Sequence, residues 1–339
     1  MSYSPQFHIS PQIAGLLEEI TTLNTRIQSA VVGVPWIPTL RKESEIRGTR
    51  GSTAIEGNPL TLPEVRILAE GGRLPYARPR AIQEVLNYFA VLRMIAQHSN
   101  AKVIHEEDVL RIHRLLGQEG ALDRGPFGAY RDYQVVVGRH RPPGAEAVPA
   151  LMHELLDWVN HEGQKWPAVV SSAILHFRFE DIHPFGDGNG RAGRALALWE
   201  LYRKKLDTHH LFAVDEVIWE RRPAYYLALD YAQRPGVGQD LTPWIQFIAE
   251  VIAESLRRAW ERVQKISRDV KSTESIVLTP NQEKLFELLQ EKPMGIQEII
   301  NSLKVTKPGA HYLLKPLLKI KWIVRKGGHK TGKYYISSH

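Results

Sequence analysis

A glycine-rich turn in the second half of the chain constrains the fold more than any other stretch. It reads His183-Pro-Phe-Gly-Asp-Gly-Asn-Gly-Arg-Ala-Gly-Arg194 and runs into an apolar, helix-forming segment, Ala192–Tyr202. Three glycines within five residues let the backbone amides converge on an anion at a helix N-terminus. The pattern predicts a phosphate-binding turn between two core helices.

The polar residues of the turn suit chemistry on a phosphoryl group. His183 is a candidate base, Asp187 is a candidate metal ligand, and Arg191 and Arg194 provide two guanidinium groups. A glycine-rich loop with a solvated histidine is the plainer alternative, but it leaves the aspartate and both arginines without a role. The residues therefore indicate a nucleotide before any family is considered.

The turn resembles the signature of the Fic family, His-x-Phe-x-Asp/Glu-Gly-Asn-Gly-Arg-x-x-Arg. Every fixed position of that signature is matched, by His183, Phe185, Asp187, Gly188, Asn189, Gly190, Arg191 and Arg194. Fic enzymes transfer a nucleotide fragment, most often AMP from ATP, to a hydroxyl group of a target protein. The resemblance implies the same reaction here, on a Ser, Thr or Tyr side chain, with release of pyrophosphate and with self-modification as one outcome.

The resemblance also implies a role for each matched residue. His183 would be the general base that takes the proton from the attacking hydroxyl. Asp187 would hold Mg²⁺, which prefers carboxylate and phosphate oxygens, whereas a zinc site ranks lower because further ligands are not near in sequence. Phe185 would anchor the turn in the core. The residues implied to bind ATP are Gly188, Asn189, Gly190, Arg191 and Arg194.

A second motif, Ser52-Thr-Ala-Ile-Glu56-Gly57-Asn58, lies in the N-terminal part of the chain. It resembles the inhibitory motif Ser/Thr-x-x-x-Glu-Gly/Asn that many Fic proteins carry on a helix packed against the nucleotide site. The resemblance implies that Ser52 and Glu56 are inhibitory, and that Glu56 pairs with Arg194 so that ATP binds in a pose unfit for transfer. An ordinary polar helix end is the alternative, and removal of AMP, known in some Fic proteins with this glutamate, stays open.

Two further features resemble parts of Fic proteins. Tyr225 and Tyr226 resemble the tyrosines that bind the nucleotide base, although adjacent aromatic residues on a helix are otherwise usually one buried and one half-exposed. β-Branched and turn residues between 125 and 144 predict a short β-hairpin. Within it Val136, Val137 and Gly138 resemble the flap that aligns a target peptide by strand addition, and the two valines equally suit a plain hairpin core.

Apolar residues at helical spacing predict a mainly α protein over most of the chain. The expected parts are an N-terminal helical region with the inhibitory motif (1–100), a Fic-type core domain with a β-hairpin flap (101–270), a linker (271–278) and a winged-helix-like α+β domain (279–339). His176 lies on an apolar helix and is assigned to structure. Pro316 is expected to kink or shorten the third helix of the last domain.

The composition and the pattern of apolar residues limit the possible chemistry and the expected cellular location of the protein. The chain has no cysteine, which excludes disulfides, thiolate nucleophiles and cysteine-ligated zinc. Its first residues lack the pattern of a signal peptide, and no apolar run approaches a membrane span. We therefore expect a cytoplasmic protein without a membrane partner.

The positive charge is concentrated at the C-terminal end. Nine Lys and Arg residues and no acidic residue follow from Lys304 onward, so with a net charge of +7 the preceding residues sum to −2. The basic winged-helix-like domain supports a second hypothesis, a DNA-binding regulator in which the core senses a nucleotide. It ranks second because a basic stretch is more often a solvated face. The expected partners are ATP, a hydroxyl-bearing target protein and DNA, and a homodimer is left open.

Overall fold

A computed structural model describes residues 3–31, 37–234, 240–271, 279–319, 322–328 and 332–336. The chain divides into two compact units, residues 1–25 with 44–258 and residues 26–43 with 259–339. The predicted linker at 271–278 lies almost entirely outside the described residues, and the predicted boundary near residue 100 stays a prediction. No helix of the described ranges is long and apolar enough to cross a membrane.

The helices up to residue 271 follow the predicted apolar periodicity. Proline near the first turn and Gly or Asn after the last turn mark several of their ends. Their bounds are α1 Pro11–Val31, α2 Ile37–Ile55, α3 Leu62–Ala69, α4 Pro79–Gln97, α5 Glu106–Leu116, α6 Val148–Asn160, α7 Ala168–Ile182, α8 Asn189–Arg203, α9 Val214–Glu220, α10 Arg222–Ala232 and α11 Thr242–Lys271.

Helices α7 and α8 form the centre of the first unit. Twelve of the fifteen residues of α7 are buried, as expected for a helix without a polar face. His183 ends α7 in the left-handed conformation, with φ of 50°. Gly188 precedes α8 with φ of 80°, a conformation that favours glycine. The glycine-rich turn therefore connects the two central helices, as predicted.

Helix α4 buries a wider face than its apolar residues predict, and that face includes polar residues. The apolar spacing predicts Val85, Leu86, Phe89 and Ile95 on the buried side of the helix. Val85, Phe89 and Ile95 are buried, but Leu86 is exposed, and Asn87 and Tyr88 are buried in addition. Asn87 donates to the carbonyls of Leu116 (3.0 Å) and Gln118 (2.9 Å), and the Tyr88 hydroxyl donates to Asp215 (2.7 Å). Polar residues that find buried partners can replace an apolar stripe, and apolar periodicity does not detect them.

The predicted β-hairpin is present only as its turn. Val137 and His140 form one antiparallel pair, with backbone N to O distances of 3.2 and 2.9 Å. Pro142 and Pro143 follow in the returning arm and have no N–H to donate, so a ladder cannot continue there. Instead, the Gln134 side chain donates to the carbonyl of Pro142 at 2.9 Å.

The C-terminal part of the second unit contains three helices and a terminal hairpin, which the winged-helix-like domain implies, plus one short strand that the sequence did not reveal. The sheet is antiparallel with the order β1-β3-β2. Helix α14 continues past Pro316 to Lys319, so the proline does not end it. The elements are α12 Pro280–Glu291, β1 Met294–Gly295, α13 Ile296–Leu303, α14 Lys307–Lys319, β2 Ile323–Lys326 and β3 Lys333–Ile336.

Candidate active site

Phe185 fixes the glycine-rich turn in the core, as predicted. Its side chain is fully buried and stacks on His113, with ring centroids 3.7 Å apart and planes 7° apart. The Phe185 N–H donates to Asn189 Oδ1, and Asn189 Nδ2 donates to the Phe185 carbonyl, both at 2.9 Å. Since the Asn189 side chain is committed to the turn, only its backbone amide remains for a phosphate.

His113 is a supporting residue that sequence analysis missed. Its Nε2 donates to the carbonyl of Asp187 at 3.0 Å, and its Nδ1 accepts the N–H of Gly128 at 3.0 Å. Burial lowers the pKa of His113 to about 4, so the ring stays neutral with a single N–H, as these two bonds require. Its partner Asp187 is distant in sequence, so no local pattern could have identified it.

The backbone around His183 is held by Arg131, a second residue that was missed. Arg131 Nε donates to the His183 carbonyl at 2.8 Å, and its backbone N–H donates to the Pro184 carbonyl at 2.9 Å. Burial lowers the pKa of the His183 imidazole to about 4. The side chain is therefore neutral near pH 7 and able to accept a proton.

Glu180 lies one helical turn before His183 and was not expected at the site. Its Oε2 is 4.0 Å from His183 Nδ1, and its buried Oε1 has no hydrogen-bond partner among the described residues. A Cβ at Gly193 would lie 2.5 Å from Oε1, so only glycine leaves room for the carboxyl group. Burial raises the pKa of Glu180 to about 8, which makes it a neutral acid near pH 7.

Glu56 and Arg194 form the pair that the two motifs predicted. Arg194 is buried, and its Nη2 donates to Glu56 Oε1 at 2.8 Å. Ser52 completes the contact, because its hydroxyl accepts from Arg194 Nε and its carbonyl accepts from Nη2, both at 3.0 Å. The carboxylate of Glu56 and the other groups around Arg194 hold the pKa of that guanidinium well above its ordinary value against the effect of burial.

The Glu56 carboxylate also occupies the space over the first turn of α8. A Cβ at Gly190 would lie 2.3 Å from Glu56 Oε1, so the two residues are in direct contact. Asn58 fixes the chain that carries Glu56, because its amide donates to the carbonyl of Ala81 at 2.9 Å and to Glu84 at 2.8 Å. A carboxylate thus stands where a helix N-terminus attracts an anion.

Asp187 presents one carboxylate to the site. Its Oδ2 accepts the N–H of Asp123 at 2.8 Å, and its Oδ1 accepts the N–H of Gly188 at 2.5 Å and lies 3.5 Å from Arg191 Nη2. Within the described ranges, no three His, Cys, Asp or Glu side chains converge as a metal site. This donor set fits Mg²⁺ that takes its other ligands from phosphate and water, and it does not fit structural zinc.

Arg191 is buried beside this carboxylate. Its Nη1 lies 4.0 Å from Glu84 Oε1, and its Nε has no hydrogen-bond partner in the described part of the chain. A buried guanidinium with donor capacity to spare is suited to a further anion.

The two adjacent tyrosines have different environments. Tyr225 is buried, and its hydroxyl lies 3.2 Å from His176 Nε2. Tyr226 is 41% exposed, so it alone of the two can present its ring to a ligand. His176 is buried against Tyr225 and Trp244, which confirms its structural assignment, and burial lowers its pKa to about 3.

The flap residues are accessible rather than buried. Val136 is 52% and Val137 is 39% exposed, so the alternative of a plain hairpin core is wrong. Gly138 adopts φ of 57° in the turn. His140 Nε2 lies 2.9 Å from the carbonyl of Asp181, at the end of α7. This contact ties the flap to the element that carries His183.

Comparison with known proteins identifies related sequences. The profile of the Fic/DOC family matches residues 103–201. Protein adenylyltransferase fic-1 of Caenorhabditis briggsae is 30% identical over 245 residues, which is 70% of this chain and 46% of the relative. Protein adenylyltransferase Fic of Aedes aegypti is 31% identical over 226 residues, 63% of this chain and 42% of the relative. The chain thus spans about half the length of the curated relatives it matches.

Solved structures match over a larger share. A Fic family protein from Desulfovibrio desulfuricans has 30% identity and a TM-score of 0.68, with 99% of both chains covered. Residues 134–508 of Fic-1 from C. elegans match with 25% identity and a TM-score of 0.62, over 74% of this chain and 72% of that one.

Proposed function

The chain belongs to the Fic family, and we propose that it is a self-inhibited protein adenylyltransferase. In the proposed reaction AMP passes from ATP to a Ser, Thr or Tyr hydroxyl of a target protein, and pyrophosphate leaves. The observation that carries the proposal is the Glu56 carboxylate, bonded to Arg194 at 2.8 Å and in contact with Gly190. The relatives named protein adenylyltransferase favour transfer over a nucleotide sensor.

His183 is the proposed general base. The target hydroxyl gives its proton to the neutral imidazole while its oxygen bonds to the α-phosphorus of ATP. The bond from that phosphorus to the bridging oxygen breaks, and the pyrophosphate takes the electron pair. Arg131 supports this step by holding the carbonyls of His183 and Pro184, and positioned proton transfer of this kind contributes about 10²–10⁴-fold to a rate.

The phosphates are proposed to lie over the first turn of α8. Backbone amides of Gly188, Asn189 and Gly190 are the donors there, and Arg191 adds a buried guanidinium. Asp187 would hold Mg²⁺, which offsets charge on the leaving pyrophosphate when bound.

The proposed inhibition arises because the Arg194 guanidinium cannot bind the Glu56 carboxylate and the γ-phosphate at the same time. Arg194 Nη2, which we propose binds the γ-phosphate, is taken by Glu56 in this conformation. A γ-phosphate and the Glu56 carboxylate would also repel each other across the same space. ATP bound beside Glu56 is therefore held in another pose, and transfer requires Glu56 to leave.

Substrate positioning is assigned to two exposed features. Tyr226 is the proposed contact for the adenine ring, and Tyr225 supports it from the core. The flap at Val136, Val137 and Gly138 is proposed to align the target segment by strand addition. Removal of AMP, the cytoplasmic location and a homodimer remain predictions.

Labelled ATP tests the proposal. The purified chain is incubated with Mg²⁺ and ATP labelled at the α-phosphorus or at the γ-phosphorus, and label on the protein is measured. We expect label from the α position only, and none with His183→Ala. Label from the γ position would indicate phosphoryl transfer instead. Absence of α label from both the wild type and Glu56→Gly would overturn the proposal.

A further inference from the structure

Charge is segregated within the C-terminal part of the second unit. In residues 279–336 the acidic side chains belong to α12 and α13, and from Lys304 onward every charged residue is basic. The segment without acidic residues therefore comprises α14 and the β2–β3 hairpin. The acidic residues are Glu283, Glu287, Glu291 and Glu298.

Helix α14 exposes a row of basic side chains. Lys307, His311, Lys315 and Lys319 follow one another at a spacing of four residues, and all are exposed. Tyr312 lies beside the row and is 77% exposed. Lys315 and Lys319 are like charges at this spacing, and such a pair destabilises a helix by about 0.2–0.5 kcal/mol. Among the described residues, neither Lys307 nor Lys315 takes part in an ion pair.

The hairpin repeats the pattern. Lys326 of β2 and Lys333 of β3 are directly opposite each other in the register, and like charges in that position are destabilising. Arg325 precedes Lys326 and is exposed. Arg325 donates to the Gly328 carbonyl at 2.9 Å, and Lys326 Nζ lies 5.5 Å from the centre of the Tyr335 ring. Helix and hairpin nevertheless both leave positive charge exposed to solvent. This exposed charge suits an anionic ligand.

We propose that the face formed by α14 and the β2–β3 hairpin binds double-stranded DNA. Helices α13 and α14 are joined by only three residues, 304–306, which is the connection of a helix-turn-helix. In that motif the second helix lies in the major groove, which is wide enough to admit it. Tyr312 and Lys315 then face the bases and the groove wall, while Lys326 and Lys333 follow the phosphates.

The composition of the face favours DNA over a protein partner. Lysine is depleted in the centre of protein interfaces, where aromatic and apolar anchors dominate, yet the exposed side of α14 offers Tyr312 as its single large apolar side chain. Lysine side chains neutralise DNA phosphates and release their counterions, so binding should be strongly salt-dependent.

Fluorescence anisotropy of the full chain with a labelled duplex of about 30 base pairs tests the proposal between about 50 and 200 mM salt. We expect affinity to fall steeply with salt. Lys315→Ala and Lys326→Ala should each weaken binding and reduce the log–log salt slope by about one. Lys284→Ala, an exposed lysine on the acidic helix α12, is the matched control and should leave both quantities unchanged.

Several results would overturn the proposal: no duplex binding at the lowest salt, an equal loss with Lys284→Ala, or binding of poly-glutamate as tight as that of the duplex. Circular dichroism of each variant confirms folding. Self-modification should be the same in Lys315→Ala as in the wild type, so failure of this proposal is distinguishable from failure of the proposed enzyme activity.

Discussion

Gly51 of α2 lies directly against the main chain of Asp215 in α9. A Cβ at Gly51 would lie 2.4 Å from the carbonyl carbon and oxygen of Asp215, and backbone cannot move aside as a flexible side chain can. Glycine therefore lets α2 approach this closely. The next residue, Ser52, bonds to Arg194, and Glu56 follows one turn later. The close approach thus sets where the Glu56 carboxylate lies.

Gly51→Val should displace α2 and release inhibition. The added side chain overlaps main-chain atoms, and overpacking of this kind costs about 1–3 kcal/mol. We expect a lower thermal unfolding midpoint together with several-fold faster self-modification. Gly48→Ala on the same helix is the control, because a Cβ there meets no atom within 4 Å. Unchanged activity in a folded Gly51→Val protein would show that the depth of α2 does not govern inhibition.

Glu56→Gly should raise the rate of adenylylation at saturating ATP by about ten- to a hundredfold. A charge-assisted pair contributes about 1.5–3 kcal/mol, and about 1.4 kcal/mol corresponds to a factor of ten. Incorporation of α-labelled ATP measures the effect. Arg194→Ala should remain inactive with or without Glu56, since the proposed γ-phosphate contact is lost.

Glu70→Gly is the matched control for Glu56→Gly. Glu70 is also an exposed glutamate immediately after a helix, α3, but it has no contact with Arg194. The adenylylation rate of the Glu70→Gly variant should equal that of the wild type. A Glu56→Gly protein no faster than Glu70→Gly would mean that Glu56 is an ordinary helix-end carboxylate.

The pH dependence of transfer should reflect the partly buried position of His183. Burial lowers its pKa from 6.5 to about 4, so the basic form persists well below neutral pH. In the Glu56→Gly background the initial rate should change less than about twofold between pH 7.5 and 5.5, with loss of activity only near pH 4. A half-maximal rate near pH 6.5 in protein that stays folded would contradict the burial argument.

Glu180→Gln should stabilise the protein at pH 8 and have less effect at pH 5. The folded-state pKa of Glu180 is about 8, above its ordinary value of 4.5, so the folded protein holds the proton more tightly than the unfolded chain. The stability that the folded protein gains from protonated Glu180 is fully present below about pH 4.5 and is lost as pH rises towards 8. Glutamine does not titrate and matches the neutral acid in shape.

Urea unfolding midpoints of Glu180→Gln and the wild type at both pH values test this prediction. Since one pKa unit corresponds to about 1.4 kcal/mol, the relative stability of the variant should change by more than about 1 kcal/mol between pH 5 and pH 8. An equal difference at the two pH values would show that Glu180 does not ionise over this range on unfolding.

Sequence reasoning succeeded where the cause is local. Apolar spacing and terminal prolines predicted the helices, and the run from His183 to Arg194 predicted a turn at a helix N-terminus. It failed where a local pattern met a distant constraint. Residues 133–138 have strand-forming character, but Pro142 and Pro143 cannot donate the hydrogen bonds of a partner strand. Leu86 is exposed, whereas Asn87 and Tyr88 are buried because their hydrogen-bond partners lie on other elements.

The amino-acid sequence alone determined the chemistry that the site can perform, because glycine conformations, helix ends and side-chain charges are properties of neighbouring residues. Only the tertiary structure decided which groups surround Arg194 and His183. Packing brings Glu56 to within 2.8 Å of Arg194, 138 residues away. Burial, which no local pattern reveals, lowers the pKa of His183 and raises that of Glu180. Both pKa changes depend on which atoms exclude water from the side chains, and these atoms are in place only when the whole core has formed.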